Sequence, residues 1–232
     1  VTPQCESTVK QYTYSELDGD FHAENIRIGN GEIVFDFVSP IQQIKDVQLG
    51  VPMKVNIENA VAAIAASLLC GATPEECRHG VKTFQGAKRR FDIHLKTDKI
   101  VFIDDYAHHP QELEASINSI KALYPDKKIT GVFQPHLYSR TRDFADEFAQ
   151  SLSLLDDIIL LNIYPAREEP IPGVTSQIVF DKITSPKKRL CLISELLDVL
   201  DSRDDLEVLV TLGAGDIDKL LPDIEQLLKE KL

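Results

Sequence analysis

Apolar and polar residues along the chain change their rhythm twice. Val9–Tyr14, Phe21–Ile28 and Glu32–Val38 alternate with a period of about two residues, which predicts short half-buried strands. Gly29-Asn30-Gly31 sits between the last two and predicts a hairpin turn. Asn56–Leu69 shifts to helical spacing, with Asn56 in the N-cap position and Gly71 just past the end. Thr73-Pro74-Glu75-Glu76 predicts a capping box opening a second helix, with proline at its first position. This first part reads as a small, partial α+β segment.

From about Lys99 the pattern becomes strand–helix alternation. Continuous apolar runs at Ile100–Asp104, Lys128–Phe133, Asp157–Asn162, Arg189–Ile193 and Glu207–Leu212 predict strands. Between and after them, helices are predicted after His109-Pro110 (Leu113, Ile117, Ile120 and Leu123 on one face), over Arg142–Leu155, Gln177–Ile183 and Glu195–Leu200, and from Ile217 to Leu228. Uniformly apolar strands separated by helices imply a mostly parallel sheet covered on both faces, an α/β domain of the doubly wound type. The change of rhythm puts the domain boundary between Phe84 and Lys99.

Composition narrows the function classes. The 232 residues carry 25 basic and 37 acidic side chains, a formal net charge of −12, and a field of that sign repels nucleic acid. No apolar run approaches the ~18 residues of a membrane span. Cys5, Cys70, Cys77 and Cys191 are scattered without a C-x-x-C pair, which argues against a zinc site or disulfide framework and for a reducing, cytoplasmic setting. The chain opens on Val1 with no leader-like segment, as expected of a piece of a larger protein with part of its machinery upstream.

Ligands of doubly wound sheets bind outside the carboxyl ends of the strands. Three such ends are rich in polar groups: Asp104-Asp105-Tyr106-Ala107-His108-His109, Gln134-Pro135-His136-Leu137-Tyr138-Ser139-Arg140 and Gly213-Ala214-Gly215-Asp216. Asp105 could accept a ribose hydroxyl, and Tyr106, His108, His136 and Arg140 offer donors and a fixed charge for a phosphate or carboxylate. His109 reads as a helix cap before Pro110. Gly213-x-Gly215 could admit a ligand close to the backbone or only serve a tight turn. Asn56 and Asn59 could face a base edge, the bland alternative for Asn56 being the cap. Arg89-Arg90 could reach a phosphate, or be a solvated pair.

The series Val55-Asn56-Ile57-Glu58-Asn59-Ala60, Phe84-x-Gly86-x-x-Arg89-Arg90-Phe91, Asp104-Asp105-Tyr106-x-His108-His109-Pro110, Phe133-Gln134-Pro135-His136-x-Tyr138-x-Arg140-Thr141-Arg142 and Leu212-Gly213-Ala214-Gly215-Asp216-Ile217 resembles the Mur ligase family across roughly residues 50–220. The resemblance implies residues 1–90 as the C-terminal part of the central ATP-binding domain and 91–232 as a Rossmann-like C-terminal domain. It implies an ATP- and magnesium-dependent ligase of peptidoglycan synthesis, which activates UDP-N-acetylmuramate as an acyl phosphate and joins it to L-alanine. By the same resemblance Asn56 and Asn59 bind adenine, and Arg90 or Arg89 approaches the ATP phosphates. Asp105 contacts the ribose, and Tyr106, His108, His136 and Arg140 hold the muramyl substrate or product.

The chain departs from the family at Val55, often His, and at Leu137, where some members carry Arg. The G-x-H-G-K-T phosphate loop does not occur in it, so no metal ligand and no catalytic residue is assigned, and the piece alone is expected to lack ligase activity. Three rival readings stand beside this one. They are a recycling ligase that attaches a tripeptide to the same nucleotide, a non-catalytic nucleotide-binding module, and a metal-binding domain built on His108, His109 and His136. Oligomeric state is not set by the sequence.

Overall fold

The computed structural model describes residues 10–232, which form two compact units, one ending at Gln85 and the other running Gly86–Leu232. Among them no helix is long and apolar enough to cross a membrane.

In the first unit β1 (His22–Gly29), β2 (Glu32–Val38) and β3 (Ile44–Gln48) make an antiparallel sheet in that order. Gly29 pairs with Glu32, leaving Asn30 and Gly31 as a two-residue turn, both at positive φ as a twist-matched hairpin turn requires. The register slips between Glu24 and Arg27, where Asn25 is left-handed, and again opposite left-handed Asp46. One buried carboxylate serves both bulges. Asp36 accepts the Asn25 amide at 2.9 Å and the Asp46 N–H at 2.9 Å. These bonds hold its carboxyl below the usual range, against the opposing effect of burial.

The strand expected over Val9–Tyr14 is corrected. Val9 lies outside the described residues, and Tyr14 contributes only an isolated bridge to Phe21. Thr13 spends its N–H and hydroxyl on Asp20 at 2.7 and 3.0 Å, so the segment closes as a loop.

α1 (Val55–Leu69) ends as its glycine predicts. Gly71, at φ 93°, donates to Leu68 and Ala72 donates to Ser67, the paired bonds of a Schellman cap. Its start differs from expectation. Lys54 is the N-cap and Asn56 lies inside the first turn, where its side-chain amide donates to Val51 O at 3.1 Å. α2 (Pro74–Thr83) opens with the expected capping box, Thr73 N–H donating to Glu76 at 2.8 Å and Glu76 N–H to Thr73 at 3.3 Å.

The second unit holds a six-stranded sheet. Its strands are β4 (Asp92–Lys96), β5 (Val101–Asp105), β6 (Ile129–Phe133), β7 (Asp157–Leu161), β8 (Lys187–Cys191) and β9 (Val208–Leu212), in the order β4-β5-β9-β6-β7-β8. All pairs are parallel except antiparallel β4–β5. After β5 the chain skips a place to β6, runs outward to β8, and returns to fill the gap with β9. α3 (Pro110–Leu123), α5 (Ala145–Leu152) and α6 (Gln177–Phe180) pack together over the face marked by the Phe133–Phe148 ring contact at 5.4 Å. α7 (Leu196–Asp201) and α8 (Leu221–Glu230) bury Leu196, Leu200, Ile224 and Leu228 against Phe102, Val132 and Ile159 on the other.

The helix expected over Arg142–Leu155 is two pieces, α4 (Tyr138–Asp143) and α5, interrupted at Phe144. The fourth strand of the expected series sits two residues earlier than read, at Lys187–Cys191.

Candidate functional site

The strand order sets the ends of β5, β9, β6 and β7 side by side, so the three polar segments singled out in the sequence share one edge. Asp104 and Asp105 close β5 from within the sheet. Asp104 is fully buried and accepts the Thr211 hydroxyl at 2.7 Å and Arg89 Nε at 3.1 Å. Burial pushes its carboxyl up, opposed by those two partners. Asp105 accepts the Ser116 hydroxyl at 2.7 Å and the Ala107 N–H at 3.2 Å, and burial raises its carboxyl as well. Each of its oxygens keeps a further lone pair for a ligand.

Arg89 is not a solvated residue. In left-handed conformation (φ 61°), it bonds Asp104, donates from Nη2 to Gly213 O at 2.7 Å, and lies 5.1 Å over the Tyr106 ring. Those contacts tie β5, β9 and the Tyr106 loop together. Arg90 is exposed and its guanidinium makes no hydrogen bond or ion pair among the described residues, which leaves it as the freer cation of the pair.

Aromatic rings line the edge in sequence from β5 to β7. Tyr106 stands edge-on to His108 at 5.1 Å, His108 to His136 at 6.3 Å, and His136 stacks on Tyr164 at 5.8 Å. His108 Nδ1 is held by Tyr106 O at 3.0 Å and by Glu112 at 3.3 Å. His109 occupies the N-cap of α3, but the acceptor there is Glu112, which takes the N–H groups of His108 and His109 at 3.0 and 3.1 Å. The His109 ring packs on Phe144 instead, at 5.0 Å. The three histidines therefore do not converge. Among the described residues no group of three or more His, Cys, Asp or Glu could hold a metal ion.

The segment after β6 carries two side chains with buried polar atoms lacking a partner, His136 Nδ1 in the loop and Arg140 Nη1 in α4. A buried guanidinium nitrogen without an acceptor is costly, and two orphaned atoms four residues apart mark a place for an external polar group. Burial holds the His136 imidazole below the ordinary histidine value, aided by Arg140 and His108 and opposed by Glu168. Gln134, next to β6, is committed elsewhere. Its amide donates to Asp216 at 2.8 Å and accepts the Ile217 N–H at 2.9 Å.

That clamp corrects the reading of Gly213-x-Gly215 as room for a ligand. A Cβ on Gly213 (φ 125°) would lie 2.5 Å from the Gln134 carbonyl, and one on Gly215 would lie 2.2 Å from its Oε1. Both glycines are needed for Gln134 to approach.

In the first unit Asn56 and Asn59 border a cavity of about 400 Å³ floored by Ala60, Ile64, Val81 and Phe84. Asn59 donates to Asn56 Oδ1 at 3.1 Å and retains its own carbonyl and a second N–H. That donor–acceptor pair over an apolar floor matches the edge and face of an adenine. The sequence reading did not include Tyr164 and Glu168, which follow β7 on the same sheet edge. Extending the strand-end rule by one strand finds both.

The chain is similar to known proteins along most of its length. A family model described as "Mur ligase, glutamate ligase domain" matches residues 89–217. UDP-N-acetylmuramate–L-alanine ligase of Phocaeicola vulgatus is 59% identical over 230 residues, 99% of this chain and 50% of that protein. The protein of the same name from Parabacteroides distasonis is 59% identical over 233 residues, 100% of this chain and 50% of that one. The crystal structure of UDP-N-acetylmuramate-alanine ligase from Thermotoga maritima superposes with a TM-score of 0.75 at 24% identity, covering 93% of this chain and 47% of that one, a likeness of fold. The chain thus spans about half the length of the curated relatives it matches. With the family model accounting for more than half of its residues, and its motifs gathered on one sheet edge, the chain belongs to the Mur ligase family.

Proposed function

We propose that this chain is part of an ATP-dependent ligase that joins L-alanine to UDP-N-acetylmuramate in peptidoglycan synthesis, in the cytoplasm. The observation that carries the reading is the 59% identity, through 99% of the chain, with a protein of that name. In this reading the first unit is the end of a central ATP-binding domain and the second is the C-terminal domain. Transfer of the ATP γ-phosphoryl group to the muramate carboxylate gives an acyl phosphate and ADP. The L-alanine amine then attacks the carbonyl carbon, the amide forms and phosphate leaves.

Asn56 and Asn59 are proposed to take the adenine in the first unit, and Asp105 the ribose. Arg90, the freer cation, is proposed for the ATP phosphates, with Arg89 as the brace at Asp104. Tyr106, His108, His136 and Arg140 are proposed to hold the muramyl nucleotide, with the orphaned Nδ1 and Nη1 meeting its anionic groups. Magnesium, when bound, would supply charge neutralisation at the phosphates, and no residue of this chain is assigned to it.

Phosphate release from the full reading frame that encodes this chain tests the proposal. ATP, magnesium and UDP-N-acetylmuramate are supplied with L-alanine, glycine, L-serine or a peptidoglycan tripeptide. Release that depends on L-alanine supports it. Release only with tripeptide moves the protein to a recycling ligase, and no release with any acceptor replaces the ligase with a binding module.

A further inference from the structure

α4 begins without a cap of its own. Leu137 stands at its N-cap with no side-chain acceptor and a φ of 72°, so the first N–H groups of the helix need an outside partner. Glu168, about thirty residues on, supplies it. One oxygen accepts the Ser139 N–H at 2.9 Å and the other accepts the Ser139 hydroxyl. The segment that carries Glu168 is itself zipped to the loop. Leu137 donates to Tyr164 O at 3.0 Å and Tyr164 donates to Pro135 O at 2.8 Å. Ala166, between Tyr164 and Glu168, is left-handed too (φ 54°). Two non-glycine residues at positive φ across one bridge are strained, and persist only where neighbours over-determine them.

We infer that Glu168 is a positioning residue, capping α4 through Ser139 so that His136 and Arg140 are held in place for an anionic group of the substrate. The inference rests on the function proposed above for which substrate that is, but not for the capping itself. The carboxylate is engaged by an N–H and a hydroxyl and makes no ion pair with Arg140 among the described residues, so Arg140 Nη1 stays available to an external anion. Without the cap, Leu137 is free to relax to negative φ, and its neighbours His136 and Arg140 turn with it. The Glu168 carboxyl is held low by the Ser139 hydroxyl and N–H, which keeps it charged and competent as a cap at neutral pH.

Two measurements test this separately. In the 232-residue chain, Glu168→Ala should accelerate hydrogen exchange of the Ser139 amide, while Glu168→Gln, which keeps an acceptor, should restore most of the protection. Unchanged exchange in Glu168→Ala would overturn the inference whatever the protein catalyses. In the full reading frame, Glu168→Ala should raise KM for UDP-N-acetylmuramate about tenfold with KM for ATP unchanged. Should that variant fail to fold, Ser139→Ala, which removes one hydroxyl, should give a smaller rise with the same selectivity. Equal changes in both KM values, or none in Ser139→Ala, would overturn the positioning role. Absence of L-alanine-dependent turnover in the unsubstituted protein would instead overturn the ligase reading and leave the exchange result to decide the cap.

Discussion

Arg89 and Asp104 form a largely buried ion pair in the candidate site, 3.1 Å apart. Asp104 is fully buried, and removing its guanidinium partner strands a carboxylate in the sheet. Arg89→Ala is expected to lower unfolding stability in urea by about 3 kcal/mol, and Asp104→Asn in the same chain should recover part of it. A double mutant as unstable as the sum of the singles would contradict the coupling. His136 gives a pH prediction. Its folded value lies below the ordinary histidine pKa, so the unfolded chain takes up a proton first as the medium is acidified. The stability it contributes is therefore complete above the unfolded value, ~6.5, and falls as pH drops through it towards the folded value. Denaturation at pH 7.5 and 5.5 should show a smaller acid loss in His136→Gln than in the parent chain. At this scale the sequence named the side chains on the edge but not their partners. From the sequence Arg89 reads equally as a phosphate contact or as one of a solvated pair, because its contacts, Asp104 and Gly213, lie far off in the chain.

Elements with an uninterrupted period were legible, as were β1 and β2 on either side of their hairpin turn despite register slips, whereas β3 and β4 were not. Strands β5, β6, β7 and β9 and the buried face of α3 follow from continuous apolar runs and helical spacing, whereas β8 begins on exposed Lys187, Lys188 and Arg189, two residues ahead of its predicted place. β3 escaped notice because left-handed Asp46 breaks its alternation, and β4 because its register slips between Ile93 and Leu95. The Asn56 cap failed for a different reason. A tight turn from Val51 to Met53 starts the helix early, and the carboxamide is drawn back to Val51. The carboxyl-end rule found the candidate edge but stopped one strand short of Tyr164 and Glu168. Gly213 is an element-scale position where both backbone conformation and space resist a side chain. Gly213→Ala should lose about 1–3 kcal/mol of stability, because φ 125° disfavours a Cβ and the Gln134 carbonyl blocks it. A thermal midpoint equal to that of the parent would contradict the Gln134 clamp.

On the scale of the whole molecule, a reactive acyl phosphate must be shielded from water, and enzymes achieve that by closing a site around it. A chain that spans about half the length of its relatives is proposed to supply one wall of such a site. The 232-residue chain alone is therefore expected to fold without turning over ATP in the presence of L-alanine, and appreciable turnover by it would refute the division of labour. The central claim is the identity of the bond formed. Mass spectrometry of a reaction containing the full reading frame, magnesium-ATP, UDP-N-acetylmuramate and L-alanine reads that bond directly. UDP-N-acetylmuramoyl-L-alanine should appear in step with ADP, whereas a protein that folds and binds both nucleotides yet forms no such product would contradict the ligase reading.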